Sequence, residues 1–182
     1  MKCQAGAQQG RSCVEEIMAL RLLCDFAKSK HRKPYVLLFD FSKAYDRVPR
    51  DGLIRVLKSR GCGKVMLRAI QTMYACTRSV LRSAVMTAAT DVRQGEPSSC
   101  LFLVTYIDLV VRVLKQNIGL DGFLKDLHTL LLMHDMVILA TSREKCLQKL
   151  STVLEYCQEY KMVLNENKTV FIIHGCKIDT AI

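Results

Sequence analysis

Two aspartates and the residues beside them set the chemical question. Asp40 closes an apolar run, Tyr35 to Phe41, of the kind a buried central strand makes, so a carboxylate leaves that strand at its exit. Asp135 follows Leu132-Met133-His134, which lies between the apolar runs Leu127 to Leu131 and Val137 to Ala140 as the tip of a β-hairpin does. If those strands are neighbours, two carboxylates far apart in sequence meet at one sheet edge. Oxygen ligands so placed suit Mg²⁺, which takes a few carboxylates and keeps its other positions for water and phosphate. Two such ions can activate an attacking 3′-hydroxyl and stabilise a leaving pyrophosphate. Taken singly, either aspartate reads equally as a strand end or a turn residue, and only the combination carries chemistry.

The elements that must position them fit one domain. A chain of 182 residues buries roughly two-thirds of its unfolded surface. Half of the residues are apolar and 24% charged, an ordinary globular balance. The longest apolar stretch, Leu101 to Leu114, is interrupted by Asp108 and Arg112, so no membrane span is expected. The first residues, Met1-Lys2-Cys3-Gln4-Ala5-Gly6, form no apolar signal segment. Nine cysteines without metal-ligand spacing suit reduced thiols, so the expectation is an intracellular chain, nuclear or cytoplasmic and not secreted. Cys13, Cys24, Cys146 and Cys157 fall on apolar helical faces and read as small core residues. The formal charge of +10 permits a polyanionic partner without establishing one. The one dense basic run, Lys28-Ser29-Lys30-His31-Arg32-Lys33, reads as a solvated loop.

In chain order, Ser12 and Glu15 make a capping-box pattern before a helix with Cys13, Ile17, Leu20, Cys24 and Ala27 on one face. A strand follows over Tyr35 to Phe41. Helices are predicted from Pro49 to about Arg60 and from about Lys64 to Cys76, separated by Gly61-Cys62-Gly63. Arg78 to Met86 alternates loosely as a strand, open to pairing with Ala88 to Val92. A helix spans Ser98 to Gln116, then comes the hairpin. Thr141 and Glu144 suggest a second capping box, opening a helix with Leu147, Leu150, Leu154 and Cys157 on one face. Thr169 to His174 is a last strand. The alternation predicts an α/β (α+β) sandwich, helices on one face of a mixed sheet.

Five segments, in order, resemble the reverse transcriptase family. They are Gln4-Ala5-Gly6-Ala7-Gln8-Gln9-Gly10-Arg11-Ser12, Asp40-Phe41-Ser42-Lys43-Ala44-Tyr45-Asp46, Arg93-Gln94-Gly95-Glu96-Pro97, Leu132-Met133-His134-Asp135, and Leu164-Asn165-Glu166-Asn167-Lys168-Thr169. The run from Asp40 to Pro49 is similar to non-LTR (LINE-like) retrotransposons in particular. The resemblance covers nearly the whole chain. It implies part of a fingers segment over residues 1–34 and a palm over 35–182, with an RRM-like mixed or antiparallel sheet backed by helices and no thumb. It implies RNA-directed DNA polymerase activity on an RNA template, a DNA primer and deoxynucleoside triphosphates, with Mg²⁺ or Mn²⁺ and no membrane. Asp40 would be a metal ligand, helped by the Phe41 carbonyl, and Asp135 another. Tyr45 would crowd a 2′-hydroxyl, although it reads equally as a core aromatic. Arg93, Gln94 and Gly95 would line the nucleotide pocket, where glycine allows close backbone approach. Lys168 would donate a proton to pyrophosphate; on its own it is a solvated charge.

The chain departs from the family at the hairpin, which usually carries an aromatic, any residue and two aspartates. Leu132 stands for the aromatic and His134 for the first aspartate. Histidine offers one neutral nitrogen in place of two anionic oxygens, a poor exchange for a hard cation. Ala7-Gln8-Gln9 and Ser98-Ser99-Cys100 also leave the family's usual pattern. The expectation is an impaired or silent polymerase. A non-catalytic nucleic-acid or protein-binding module, or a functionless relic that exposes apolar surface, is the alternative.

Overall fold

Strand β1 (Tyr35–Asp40) is the centre about which the rest is built. The computed structural model describes residues 4–75, 79–81, 84–86, 92, 96–118, 124 and 129–173, with 79–81 and 84–86 described as backbone. In chain order the elements are α1 (Cys13–Ser29), β1, α2 (Ala44–Arg47), α3 (Arg50–Ser59), α4 (Lys64–Ala75), β2 (Ser79–Leu81), β3 (Ala84–Met86), α5 (Pro97–Ile118), β4 (Thr129–Leu132), β5 (Asp135–Ala140), α6 (Arg143–Tyr160) and β6 (Val170–Ile173). The main sheet runs β4-β5-β1-β6, with every strand pair antiparallel. A parallel bridge from Gln4 to Leu131 adds the only mixed character among the described residues.

Strand parity divides the apolar residues between two faces. Leu37, Phe39 and Phe41 join Leu131, Met136 and Ile138 in the principal core with α3, α4, α5 and α6. Val36 and Leu38 turn the other way, with Val137 and Leu139, onto Leu20 and Leu23 of α1. Helices therefore cover both faces, not one as the sequence suggested.

Helix α1 is rotated from the expected face, which keeps Ala27 buried and Leu20 packed on the sheet but leaves Cys13 and Ile17 exposed. Leu23, Ala27 and Glu16 are buried, whereas Val14, Ile17, Met18, Leu22 and Phe26 are exposed. The helix is apolar nearly all round, so periodicity leaves its inner side undetermined. Ser12 occupies the N-cap without a side-chain capping bond, and Glu15 and Glu16 instead pair with Arg11 at 2.9 Å and 2.7 Å. At α6 the cap is Ser142, which accepts from the Lys145 amide, and not Thr141. Its buried side is Cys146, Lys149, Val153, Tyr156 and Cys157, while Leu147 and Leu154 are exposed. Lys149 enters the core because its ammonium donates to the Leu139 carbonyl at 2.6 Å. Of the four cysteines expected inside, Cys146 and Cys157 are buried, Cys24 is half-buried and Cys13 is exposed. Burial pushes the Cys157 thiol up to about 11, which keeps it un-ionised.

The Arg78–Met86 run holds two strands rather than one, with β2 paired to β3 inside it, and the pairing expected with Ala88 to Val92 falls on residues that lie, but for Val92, outside the described ones. Helix α5 is long and apolar enough to cross a membrane, which the sequence reading did not expect. Eleven of its 22 residues are buried, and it is the core helix of this fold. Tyr156 donates to the Tyr106 carbonyl at 3.0 Å and Tyr106 to the Tyr160 carbonyl at 2.9 Å, stapling α5 to α6.

Candidate active site at the hairpin end of the sheet

The register of β1 and β5 sets Asp40 directly opposite Asp135. Both share the face of Leu38 and Val137, one step beyond the apolar pairs, so two carboxylates meet at the strand ends as the sequence suggested. Asp40 is buried, with a side chain only 8% exposed, while the Asp135 side chain is 62% exposed. His134 completes the group: its Nδ1 lies 2.9 Å from Asp40 Oδ1 and 3.8 Å from Asp135 Oδ2. One ligand atom from each of the three lies within 4.8 Å of the others.

Lys168 arrives from the other side of β1. The Asn165 amide donates to the Asp40 carbonyl at 2.8 Å and the Ser42 amide to the Val163 carbonyl at 2.8 Å. Those bonds lay the Leu164–Thr169 segment against the strand exit, and a 3-10 turn, Glu166–Lys168, aims Lys168 inward. Its Nζ donates to Asp40 Oδ2 at 2.9 Å. The hydrogen bond and charge of that carboxylate raise the Lys168 pKa above the ordinary lysine value. A raised lysine pKa stabilises the fold below the unfolded value and loses that effect only as pH climbs through the folded one. The contact is therefore unchanged across neutral pH.

Phe41 places its ring in the core, edge-on to Phe39 at 5.8 Å, and only its backbone borders the site. Its amide donates to the His134 carbonyl at 3.3 Å. Tyr45 stands on α2, half-buried against the core, and its carbonyl accepts from the Val92 amide. Desolvation and a hydrogen bond with the Cys100 thiol raise its pKa. Cys100 Sγ in turn lies 3.6 Å from Met133 Sδ, so Tyr45 connects through sulfur to the hairpin tip. Arg93, Gln94 and Gly95 lie outside the described residues.

Sequence reasoning assigned no role to Gln4, yet it holds the tip in place. Met133 has φ of 57°, a left-handed backbone that favours glycine. The fully buried Gln4 amide accepts from the Met133 N–H at 2.9 Å and donates to the Met133 carbonyl at 3.1 Å. Gly6 closes against the same residue: a Cβ there would lie 2.6 Å from the Met133 nitrogen. No local pattern could reveal a clamp made across 129 residues. Gln4→Ala is expected to destabilise the chain by about 1–3 kcal/mol, the cost of part-buried main-chain groups left unpaired. Urea denaturation measures it, and Gln4→Glu, which keeps the accepting oxygens, should recover part.

The residues present fit a divalent cation. Asp40 Oδ1 and His134 Nδ1 are both buried, and neither has a hydrogen-bond partner despite their closeness. Their separation matches neighbouring ligands on one ion, about 3 Å for bonds of ~2.1 Å at a right angle.

An antiparallel sheet with core helices, a carboxylate at the exit of its central strand, and a second one opposite it at the start of the hairpin's return strand form the arrangement that the sequence resemblance implied. The family model described as reverse transcriptase (RNA-dependent DNA polymerase) matches residues 1–178. The chain belongs to that family, as a domain of the non-LTR retrotransposon type. It is 26% identical over 159 residues to the retrovirus-related Pol polyprotein from type-1 retrotransposable element R2 of Nasonia vitripennis, covering 85% of this chain and 16% of that protein. It is likewise 26% identical over 152 residues to the transposon TX1 uncharacterized 149 kDa protein of Xenopus laevis, covering 74% and 12%. Among solved structures it resembles telomerase from Candida albicans, in complex with a TWJ fragment of telomeric RNA. There the TM-score is 0.70 at 13% identity, covering 97% of this chain and 32% of that one. Apo telomerase from Candida tropicalis, truncated from its C-terminal domain, gives 0.67 at 17%, covering 97% and 37%. These likenesses support the fold. The chain spans less than a fifth of the curated relatives and about a third of the structures.

Proposed function

We propose that this domain serves RNA-templated DNA synthesis, and that His134 leaves it impaired with Mg²⁺. The observation that carries the second part is the imidazole Nδ1 standing 2.9 Å from Asp40 Oδ1, where a hard cation needs oxygen. A bound divalent cation supplies the Lewis acid for attack of a primer 3′-hydroxyl on a deoxynucleoside triphosphate. Asp40 and Asp135 supply the negative charge that holds it, and Mn²⁺ tolerates the nitrogen better than Mg²⁺. The Tyr45 ring, half-buried with its hydroxyl beside the Cys100 thiol, crowds a ribose 2′-hydroxyl. Arg93, Gln94 and Gly95 are assigned to nucleotide binding from the sequence motif alone. Lys168, held at Asp40 Oδ2 by one hydrogen bond, has a protonated amine to offer the leaving pyrophosphate. Residues 1–34 act as part of the fingers, though Gln4 and Ala5 bond to β4 of the palm sheet. Nine cysteines without metal-ligand spacing support an intracellular site of action, nucleus or cytoplasm.

Primer extension on an RNA template, comparing this chain with His134→Asp in Mg²⁺ and in Mn²⁺, tests the reading. The variant is expected to extend in Mg²⁺ at a rate at least ~100-fold above the parent, about 3 kcal/mol of recovered charge stabilisation. The parent should gain more from Mn²⁺ than the variant does. A non-catalytic binding module is the second reading, favoured by the imidazole at a ligand position and the charge of +10. Silence from both proteins, with RNA binding that persists in EDTA, supports it.

A further inference from the structure

At the hairpin end a buried carboxylate oxygen and an imidazole nitrogen lie in contact. Asp40 is 6% exposed, and its Oδ1 has no hydrogen-bond partner. His134 Nδ1 lies 2.9 Å away and is likewise buried without a hydrogen-bond partner. That separation suits neighbouring ligands on one cation, which balances the carboxylate charge. A neutral imidazole protonated on Nε2 presents exactly one lone pair there, at Nδ1. Asp135 Oδ2, 3.8 Å from the same nitrogen, supplies a third ligand from a mostly exposed side chain that is free to swing. Lys168 occupies the other oxygen of Asp40 and leaves Oδ1 to the ion, in the way a carboxylate partner orients a ligand.

We propose that Asp40, His134 and Asp135 form a site for one borderline transition cation, of the Zn²⁺ or Co²⁺ class, that discriminates against Mg²⁺. Imidazole nitrogen binds these ions far better than it binds Mg²⁺, and affinity rises from Mn²⁺ through Co²⁺ towards Zn²⁺. Two carboxylates and one imidazole give a mixed oxygen–nitrogen set with room left for water. The inference rests on the reading of this hairpin as the family's cation site, but it requires no polymerisation.

The test uses the full chain, freed of metal with a chelator and titrated with Co²⁺, without nucleic acid or nucleotide. One equivalent is expected, with weak visible bands and no thiolate charge-transfer absorption, which separates this site from the nine cysteines. Competition should show Zn²⁺ displacing Co²⁺ and Mg²⁺ failing to do so at ~100-fold excess. His134→Ala should weaken Co²⁺ by about tenfold or more, and His134→Asp should lose the preference while gaining Mg²⁺ by a similar factor. Melting temperatures in EDTA check that the variants, changed at a half-buried turn residue, remain folded. Displacement by Mg²⁺ at concentrations near that of Co²⁺ overturns the proposal. So does unchanged Co²⁺ affinity in His134→Ala, or a thiolate spectrum. Primer extension is read separately, so failure of the polymerase reading and failure of this one are distinguishable.

Discussion

Asp40→Asn is expected to weaken Co²⁺ and Zn²⁺ binding by at least ~100-fold, while stability in EDTA moves by no more than about 1 kcal/mol. The two effects separate because the Asp40 carboxylate does little for the fold. Its Oδ1 has no hydrogen-bond partner, and its Oδ2 meets Lys168, whose side chain is 63% exposed. Such a pair is largely screened by water. Strand β1 is held by its backbone, by Leu37 and Phe39 in the core, and by neighbours on both edges, none of which an amide disturbs. For the cation the change is severe, since an amide oxygen carries no charge and the buried ligand is the one that cannot move aside. Asp135→Asn should cost only about tenfold, because an exposed carboxylate is readily replaced by water. Isothermal titration beside urea denaturation reads both quantities on the same preparations. Equal losses from the two variants would mean that burial is not what ranks these ligands.

That contrast also explains what the sequence disclosed. A strand side chain has two directions, so once β1 and β5 were recognised from their apolar runs, Asp40 and Asp135 had to share a face if they were opposite each other. The hairpin, the central strand and the pair Asp40 and Asp135 were legible for this reason, whereas His134 was marked only by the family resemblance. Helix faces were not. Helices α1 and α6 carry apolar residues on several sides, and Lys149 is inside because a carbonyl meets its ammonium, which no hydropathy pattern can express. The Lys168–Asp40 ion pair and the Gln4 clamp were missed because each joins residues more than a hundred positions apart. Those contacts exist only after the chain has closed, and local spacing carries no trace of them. The family resemblance marked Lys168 and Gln4 as motif members, whereas their partners came from the geometry.

Asp108→Ala is expected to cost about 3–5 kcal/mol, the largest single stability loss foreseen. Asp108 lies mid-way along α5, with a side chain 7% exposed, and receives Arg60 Nη2 from the end of α3 at 2.6 Å. Arg112 Nε stands 4.0 Å off, half in solvent, and contributes little. Removing the carboxylate strands a guanidinium that is itself mostly buried and whose Nε already lacks a hydrogen-bond partner. The penalty is the uncompensated charge rather than the lost bond, so truncating both partners should be less harmful than truncating one. Arg60→Met combined with Asp108→Leu is expected to recover most of the loss, since a well-packed apolar pair often equals or exceeds a buried ion pair. A double-mutant cycle in urea gives the coupling directly. In sequence Asp108 stood out only as a polar break in an apolar stretch. Its role follows from α5 being buried against α3, where a charge survives only if another element brings its counter-charge. Cation affinity of the folded double variant should match the parent, because the pair lies in the helix layer and the ligands lie on the opposite face of the sheet.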